Sequence, residues 1–198
     1  MLGPSAHVSE ILLNGGPSPQ LAPWVLGLAL VLAATSAITD YRTGHIPNWI
    51  TIPPIFLGPI VYGLVDGAEA ALASLIAMLI CGAVPLMMFW RQGMHGGDTK
   101  LFLAIAALCG TSIGLESMLL TFIVGAIYAM GRLAWEGKLF ATLGRTFYLG
   151  LNPILPKAWR KAPSPELMQK LRLGGAIFAG LFLVVIGRYQ AMLFPGLA

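Results

Sequence analysis

TDYRTGHIPN (residues 39–48) and GMHGGDTKL (residues 93–101) are two polar stretches in a chain that is otherwise mostly apolar. Each places one carboxylate, Asp40 or Asp98, where a hydrophobic run meets a polar turn. The chain is 57% hydrophobic and only 10% charged, whereas a soluble domain is about a quarter charged. This composition predicts an all-α, polytopic membrane protein, in which an acidic residue indicates a functional site.

Six hydrophobic segments surround these stretches and predict about six transmembrane helices. They are Leu21–Thr39, Ile50–Val65, Ala70–Trp90, Leu101–Leu115, Ser117–Trp135 and Leu173–Phe194. The turn between the fourth and fifth segments is expected at Gly114–Glu116. We expect a single membrane domain over residues 21–198, which includes a basic cytoplasmic loop at 136–170. An extracytoplasmic tail is expected at residues 1–20.

The basic residues predict the orientation of these helices. Eleven of the 12 lysines and arginines fall in or beside the first, third and fifth connections, and Arg188 is the exception. The second and fourth connections carry Asp66, Glu69 and Glu116 instead. Because positive residues are retained on the cytoplasmic side of a membrane, both termini are expected outside. Asp40 and Asp98 are then both on the cytoplasmic side.

Two aspartates at one membrane surface can form a catalytic dyad. Asp98 follows Gly96 and Gly97, which would let a peptide or a water molecule approach, although Asp98 could also simply cap a helix. Asp40 is expected near the C-terminus of the first helix, where solvation at the interface is the alternative reading. Two hydrophobic segments lie between them, so the ends of the first and fourth helices can meet. Such a pair could activate a water molecule.

The other polar residues near the dyad carry further predictions. Lys100 either extends to the membrane interface or holds an anionic substrate or lipid group. His45 and His95 flank the aspartates, but their spacing matches no helical pair of metal ligands, so no metal site is predicted. Cys81 and Cys109 lie in apolar runs without a CxxC motif, which is typical of inert buried thiols.

The two stretches, read as TDYRTGHIPNWIT and GMHGGDTKLFLAIAALCG, resemble the type IV prepilin peptidases. These are membrane aspartyl proteases of the GxGD type, and the likeness is closest to the short form associated with tight-adherence and Flp pilus systems. The resemblance implies that Asp40 and Asp98 are catalytic and that Lys100 is the lysine of the family motif. We expect Gly96, Gly97 and Lys100 to contact the substrate. His95 departs from the motif, which has glycine there.

The resemblance also implies a function and partners. The protein is expected to cleave the leader peptide from prepilin or pseudopilin subunits at the cytoplasmic face of the bacterial inner membrane. It would need no cofactor and would carry peptidase activity alone, since the four-cysteine zinc insertion of the longer members is missing. Membrane lipid and the pilus assembly machinery are expected partners, and nucleic acid is not.

Two alternatives remain at this point. One is a proton-coupled transporter that uses Asp40 and Asp98 as a relay, and the other is a non-catalytic pilus assembly factor. The depth of the carboxylates distinguishes the transporter, because a proton relay needs acidic groups near the middle of the membrane.

Overall fold

The computed structural model describes residues 22–91, 93–135, 137 and 173–193, and within these ranges it contains helices and no strand. The expected tail at residues 1–20 and all but Gly137 of the expected loop at 136–170 lie outside the described residues. The helices are α1 (Ala22–Thr43), α2 (Asn48–Val65), α3 (Ala68–Trp90), α4 (Gly96–Trp135) and α5 (Gly174–Leu193). The predicted all-α class is confirmed.

Helix α4 is two helices joined at a sharp break. A straight helix of its 40 residues would be about 60 Å long, twice the thickness of a bilayer core. Gly110 interrupts it with φ 78° and ψ −178°, a backbone conformation that is almost restricted to glycine. We therefore divide the element into α4a (residues 96–109) and α4b (residues 111–135), which gives six helical segments in the described chain.

Contacts with neighbouring helices show that α4b runs back alongside α4a. Asn48 and Tyr62 of α2 reach Lys100 and Leu108 of α4a, respectively, so α4a runs parallel to α2. A Cβ atom at Gly114 would lie only 3.4 Å from the Cα atom of Ala106, which a straight helix does not allow over eight residues. α4a and α4b therefore form a helical hairpin.

The expected turn at Gly114–Glu116 is wrong, because the chain turns at Gly110 instead. Both residues lie in α4b, where Gly114 permits close packing: a Cβ atom there would be 2.8 Å from the Cys81 Sγ atom. Glu116 suggested a polar turn, but the Arg188 guanidinium in α5 contacts its carboxylate at 2.6 Å. This pair also explains why Arg188 lies outside the connections that hold the other basic residues, because its charge is balanced by Glu116.

Side chains from α2 and α3 compensate the backbone at the break. A helix that ends leaves its last carbonyl groups without intrahelical partners. The Ser74 hydroxyl donates to the Ala107 carbonyl at 2.8 Å, and the Tyr62 hydroxyl donates to the Leu108 carbonyl. Polar groups in a membrane need such partners because hydrocarbon supplies none. Hydrogen bonds from the neighbouring helices thus stabilise the break.

The helices alternate in direction, so that one end of the bundle collects the two polar stretches. α1 and α3 finish at this end, where α2 and α4a begin, and α5 also starts there because Gly174 contacts Asp40. We call it the dyad end. The opposite end holds the turn at Gly67, the Gly110 break and the Glu116–Arg188 pair.

The outside of the bundle is apolar. Large hydrophobic side chains such as Leu28, Ile60, Leu79 and Ile127 are exposed, and the interior combines large apolar side chains such as Phe102 with small and polar ones. α1 to α4 are each long and apolar enough, by length and composition, to cross a membrane, and the described part of α5 is a shorter apolar helix. This arrangement fits a multi-pass membrane protein, with the surrounding lipid covering the apolar exterior.

Candidate active site

Asp40 lies in the last turn of α1, as the sequence predicted. The helix ends because Gly44 adopts φ 67°, the left-handed conformation typical of a residue just beyond a helix C-terminus. The Gly44 N–H group donates to the Asp40 carbonyl at 2.8 Å. The Thr43 hydroxyl bonds the Thr39 carbonyl at 2.8 Å. These contacts fix the end of α1, and with it the backbone that carries the Asp40 side chain.

Asp98 lies at the start of α4a. The helix begins at Gly96, so Asp98 is the third helical residue and not the N-cap that one reading of the sequence proposed. His95 precedes the helix, and its backbone N–H group hydrogen-bonds to the Asp98 carboxyl. This is the arrangement in which an acidic third residue reaches back to the capping position. A helix N-terminus also attracts negative charge.

The two carboxyl groups are buried together at the dyad end. Asp40 is 7% exposed and Asp98 is 3% exposed, although each lies within a few residues of a helix end. They are close enough for the charge of Asp40 to act on the Asp98 carboxyl. Burial of two acidic groups in an apolar bundle is costly, so residues of this kind usually mark a functional site. In a pair of neighbouring carboxyls, one can act as the general acid and the other as the general base.

Gly96 and Gly97 are packed against protein side chains. A Cβ atom at Gly97 would lie 3.0 Å from the Ile46 Cβ atom, and one at Gly96 would lie 3.2 Å from the Phe89 Cε2 atom. The two glycines therefore allow the α1–α2 connection and the end of α3 to approach the start of α4a. This packing brings the two polar stretches of the sequence into one place.

Lys100 lies two residues after Asp98 in α4a and connects the same two stretches. Its ammonium group donates to the Asn48 side-chain carbonyl at 2.9 Å. Asn48 is the first residue of α2, so the contact fastens the start of α2 to α4a. The asparagine amide is neutral, so this contact is a hydrogen bond and not an ion pair.

The two histidines differ in their relation to the dyad. The His95 ring lies beside Asp98, with 3.8 Å between Nδ1 and Oδ2, and its side chain is 37% exposed. His45 is exposed in the turn after α1. Within the described ranges, no group of three histidine, cysteine or acidic residues is placed to hold a metal ion.

Gly174 is a site residue that the sequence reasoning missed. It is the first residue of α5, and its N–H group donates to the Asp40 Oδ2 atom at 3.0 Å in a buried position. A Cβ atom here would lie 2.8 Å from the Asp40 Cβ atom and 2.9 Å from its Oδ2 atom. The only sequence signal was a Gly-Gly pair opening the last hydrophobic run, a pattern that can bring a helix N-terminus against an anion.

Comparison with protein families identifies the family to which the chain is similar. The model of the type IV leader peptidase family matches residues 25–130, which is more than half of the 198 residues. The matched stretch contains Asp40, Asp98 and Lys100, and it ends before Gly174. No solved structure matches the chain.

Two curated proteins resemble the chain at the level of sequence, and both are named prepilin leader peptidase/N-methyltransferase. The one from Escherichia coli is 24% identical over 149 residues, which cover 70% of this chain and 64% of the relative. The one from Xanthomonas campestris is 30% identical over 123 residues, which cover 58% of this chain and 42% of the relative. The chain thus spans less than two thirds of the length of either relative.

Proposed function

The chain belongs to the type IV leader peptidase family, and from this premise we propose that it is a membrane aspartic endopeptidase that removes leader peptides from prepilin-like subunits. The observation that carries the proposal is the buried pair Asp40 and Asp98 at one end of the bundle. Neither residue needs a cofactor for this chemistry. The proposal concerns the peptidase activity in the relatives' names and not the methyltransferase activity.

The two carboxyls supply both proton transfers of peptide hydrolysis. A water oxygen attacks the scissile carbonyl carbon while the ionised carboxylate accepts a water proton and the protonated carboxyl donates to the carbonyl oxygen. The tetrahedral intermediate then loses its C–N bond. The amine leaves with the proton that the ionised carboxylate took from water. The other carboxyl recovers a proton from a hydroxyl of the intermediate. Both groups return to their starting states.

The position of the site favours this reaction over proton-coupled transport. Asp40 is three residues from the C-terminal end of α1, and Asp98 is the third residue of α4a. A relay through a membrane needs acidic groups along the path, near the middle of the bilayer. A leader peptidase needs them at one surface, where the apolar segment of its substrate meets the polar leader.

We further propose that the substrate belongs to a tight-adherence or Flp-type pilus system and that the dyad end faces the cytoplasm of a bacterial inner membrane. The first point rests on the two polar stretches, which resemble the short form of the family. The second rests on the basic residues around the connections at the dyad end. We propose that Gly96, Gly97 and Lys100 contact the substrate, with the Lys100 charge binding an anionic group.

A leader-release assay tests the proposed function. Purified protein in detergent is incubated with a synthetic prepilin-like peptide that has a basic leader followed by an apolar segment, and the products are weighed by mass spectrometry. We expect two products whose masses sum to that of the peptide plus one water. Intact peptide after prolonged incubation with folded protein, for several candidate peptides, would contradict the proposal.

His95→Gly is expected to retain leader release within about tenfold of the wild-type rate. The His95 ring is partly exposed and 3.8 Å from Asp98, so it is beside the dyad and outside the proton transfers described above. An imidazole titrates near neutrality, so the pH profile of the variant is expected to change shape. Chelators are expected to leave the wild type active. An inactive but folded His95→Gly protein would make this histidine part of the mechanism.

Labelling of single cysteines tests the orientation. Arg91 at the dyad end and Asp66 at the opposite end are both exposed, and Cys81 and Cys109 are buried and can be replaced by alanine. We expect a membrane-impermeant maleimide to label Arg91→Cys only from the cytoplasmic side and Asp66→Cys only from outside. The reverse pattern would place the dyad on the outer face and refute the proposed site of cleavage.

A further inference from the structure

We propose that Gly174 is a positioning residue for the reaction, which holds the Asp40 carboxylate in its working orientation through its backbone N–H group. The expected kinetic effect rests on the proposed function, whereas the expected change in amide hydrogen exchange rests only on the contact between Gly174 and Asp40. It adds an element that the family match does not include, because that match ends at residue 130. α5 thereby becomes part of the site.

The contact constrains one oxygen of the carboxylate and leaves the other available. The Gly174 N–H group donates to Oδ2 at 3.0 Å, and a carboxylate has further lone pairs on both oxygens. Hydrogen bonds between an N–H group and a carboxylate are stronger than neutral ones. Asp40 reaches this donor from the last turn of α1, and a longer or rotated side chain would lose it. The donor thus selects one rotamer of Asp40.

The absence of a side chain at Gly174 is a requirement of the same contact. A Cβ atom would lie 2.8 Å from the Asp40 Cβ atom, 2.9 Å from Oδ2 and 3.2 Å from Cγ. These distances are well inside van der Waals contact, so either Asp40 or the start of α5 must move. Gly175, the next residue, has no atom within 4 Å of the same hypothetical position and is exposed. The constraint is therefore specific to Gly174.

The rest of α5 is held at fixed register, so that its first N–H group points at Asp40. Gly180 packs directly on the backbone of α4b, with the Thr121 nitrogen 2.7 Å from its hypothetical Cβ atom. Farther along, the Arg188 guanidinium binds Glu116 through two nitrogens. Since α5 is anchored at both points to α4b, it cannot slide to relieve a clash at Gly174. A substitution there must displace the Asp40 carboxyl.

Gly174→Ala is expected to lower kcat for leader release by about a hundredfold while KM stays within about twofold. A shift of about 1 Å in a catalytic group is enough for a loss of this size. KM is expected to be unchanged because the substrate contacts proposed above lie on α4a. Gly175→Ala is the matched control, and it is expected to match the wild type in both constants. The thermal unfolding midpoints of the two variants are compared in the same detergent.

A second measurement needs no substituted glycine. The Gly174 amide is expected to exchange its hydrogen slowly in the wild type and at least tenfold faster in Asp40→Ala, which lacks the acceptor. Equal exchange in the two proteins, or a folded Gly174→Ala protein with wild-type kcat, would overturn the inference. A wild type that releases no leader would instead contradict the proposed function, and the exchange measurement would still decide whether Gly174 holds Asp40.

Discussion

Asp40→Asn and Asp98→Asn are each expected to lower the rate of leader release by at least a thousandfold. Asparagine keeps the size of the side chain and its ability to accept the Gly174 or His95 N–H group, but it cannot take up or release a proton. Losing one member of a unit that transfers protons typically costs three or more orders of magnitude, which corresponds to about 4 kcal/mol of transition-state stabilisation.

Asp66→Asn is the control for these two variants. Asp66 is an exposed acid in the turn between α2 and α3, at the end of the bundle opposite the dyad. Removing its charge is expected to leave the rate unchanged within about twofold. All three proteins should be inserted and folded, as judged by yield and thermal unfolding. A wild-type rate in either dyad variant would remove that carboxyl from the mechanism.

Gly180→Ala is expected to destabilise the fold by about 2 kcal/mol, since inserting a methyl group into a packed contact costs about 1–3 kcal/mol. A Cβ atom at Gly180 would lie 2.5 Å from the Thr121 Oγ1 atom, 2.7 Å from the Thr121 nitrogen and 2.8 Å from the Ser117 carbonyl oxygen. Two of these atoms are backbone and cannot rotate away. α5 must therefore separate from α4b, which also moves Gly174 relative to Asp40.

Gly187→Ala serves as the control, because no atom lies within 4 Å of a Cβ atom at that position. It is expected to unfold with the wild type or slightly above it, since alanine favours a helix over glycine. The readouts are the denaturation midpoint and the leader-release rate. Equal midpoints for the two variants would show that Gly180 is not tightly packed against α4b. The position of α5 relative to α4b would then not be fixed by this contact.

The pair Asp40 and Asp98 can be predicted from the sequence because each residue stands out from its immediate neighbours in the chain. Asp40 and Asp98 are acidic residues at the edges of apolar runs, and that contrast is visible in the sequence without any knowledge of packing. The helices around them were found for the same reason, through the lengths of the apolar runs. Two predicted membrane crossings lie between Asp40 and Asp98, so both residues are expected at the same end of the bundle.

The remaining features depend on contacts between distant parts of the chain. The charged residue Glu116 favours a turn at Gly114–Glu116 in the sequence, and only the packing of α5 shows that Arg188 pairs with Glu116 and that the chain turns at Gly110 instead. Gly174 is 134 residues from Asp40, and nothing in its neighbours indicates which carboxylate it meets. The sequence predicts that Lys100 contacts the membrane interface or the substrate, whereas its hydrogen-bond partner Asn48 belongs to another helix.

The two-aspartate site is tested by comparing leader release by the wild type, Asp40→Asn, Asp98→Asn and the double variant, with enzyme in excess over peptide. If the two carboxyls act as one unit, we expect all three variants to share the same residual rate, because removing the second member of a broken unit costs nothing more. Losses that multiply in the double variant, or one single variant within tenfold of the wild type, would contradict a two-aspartate site.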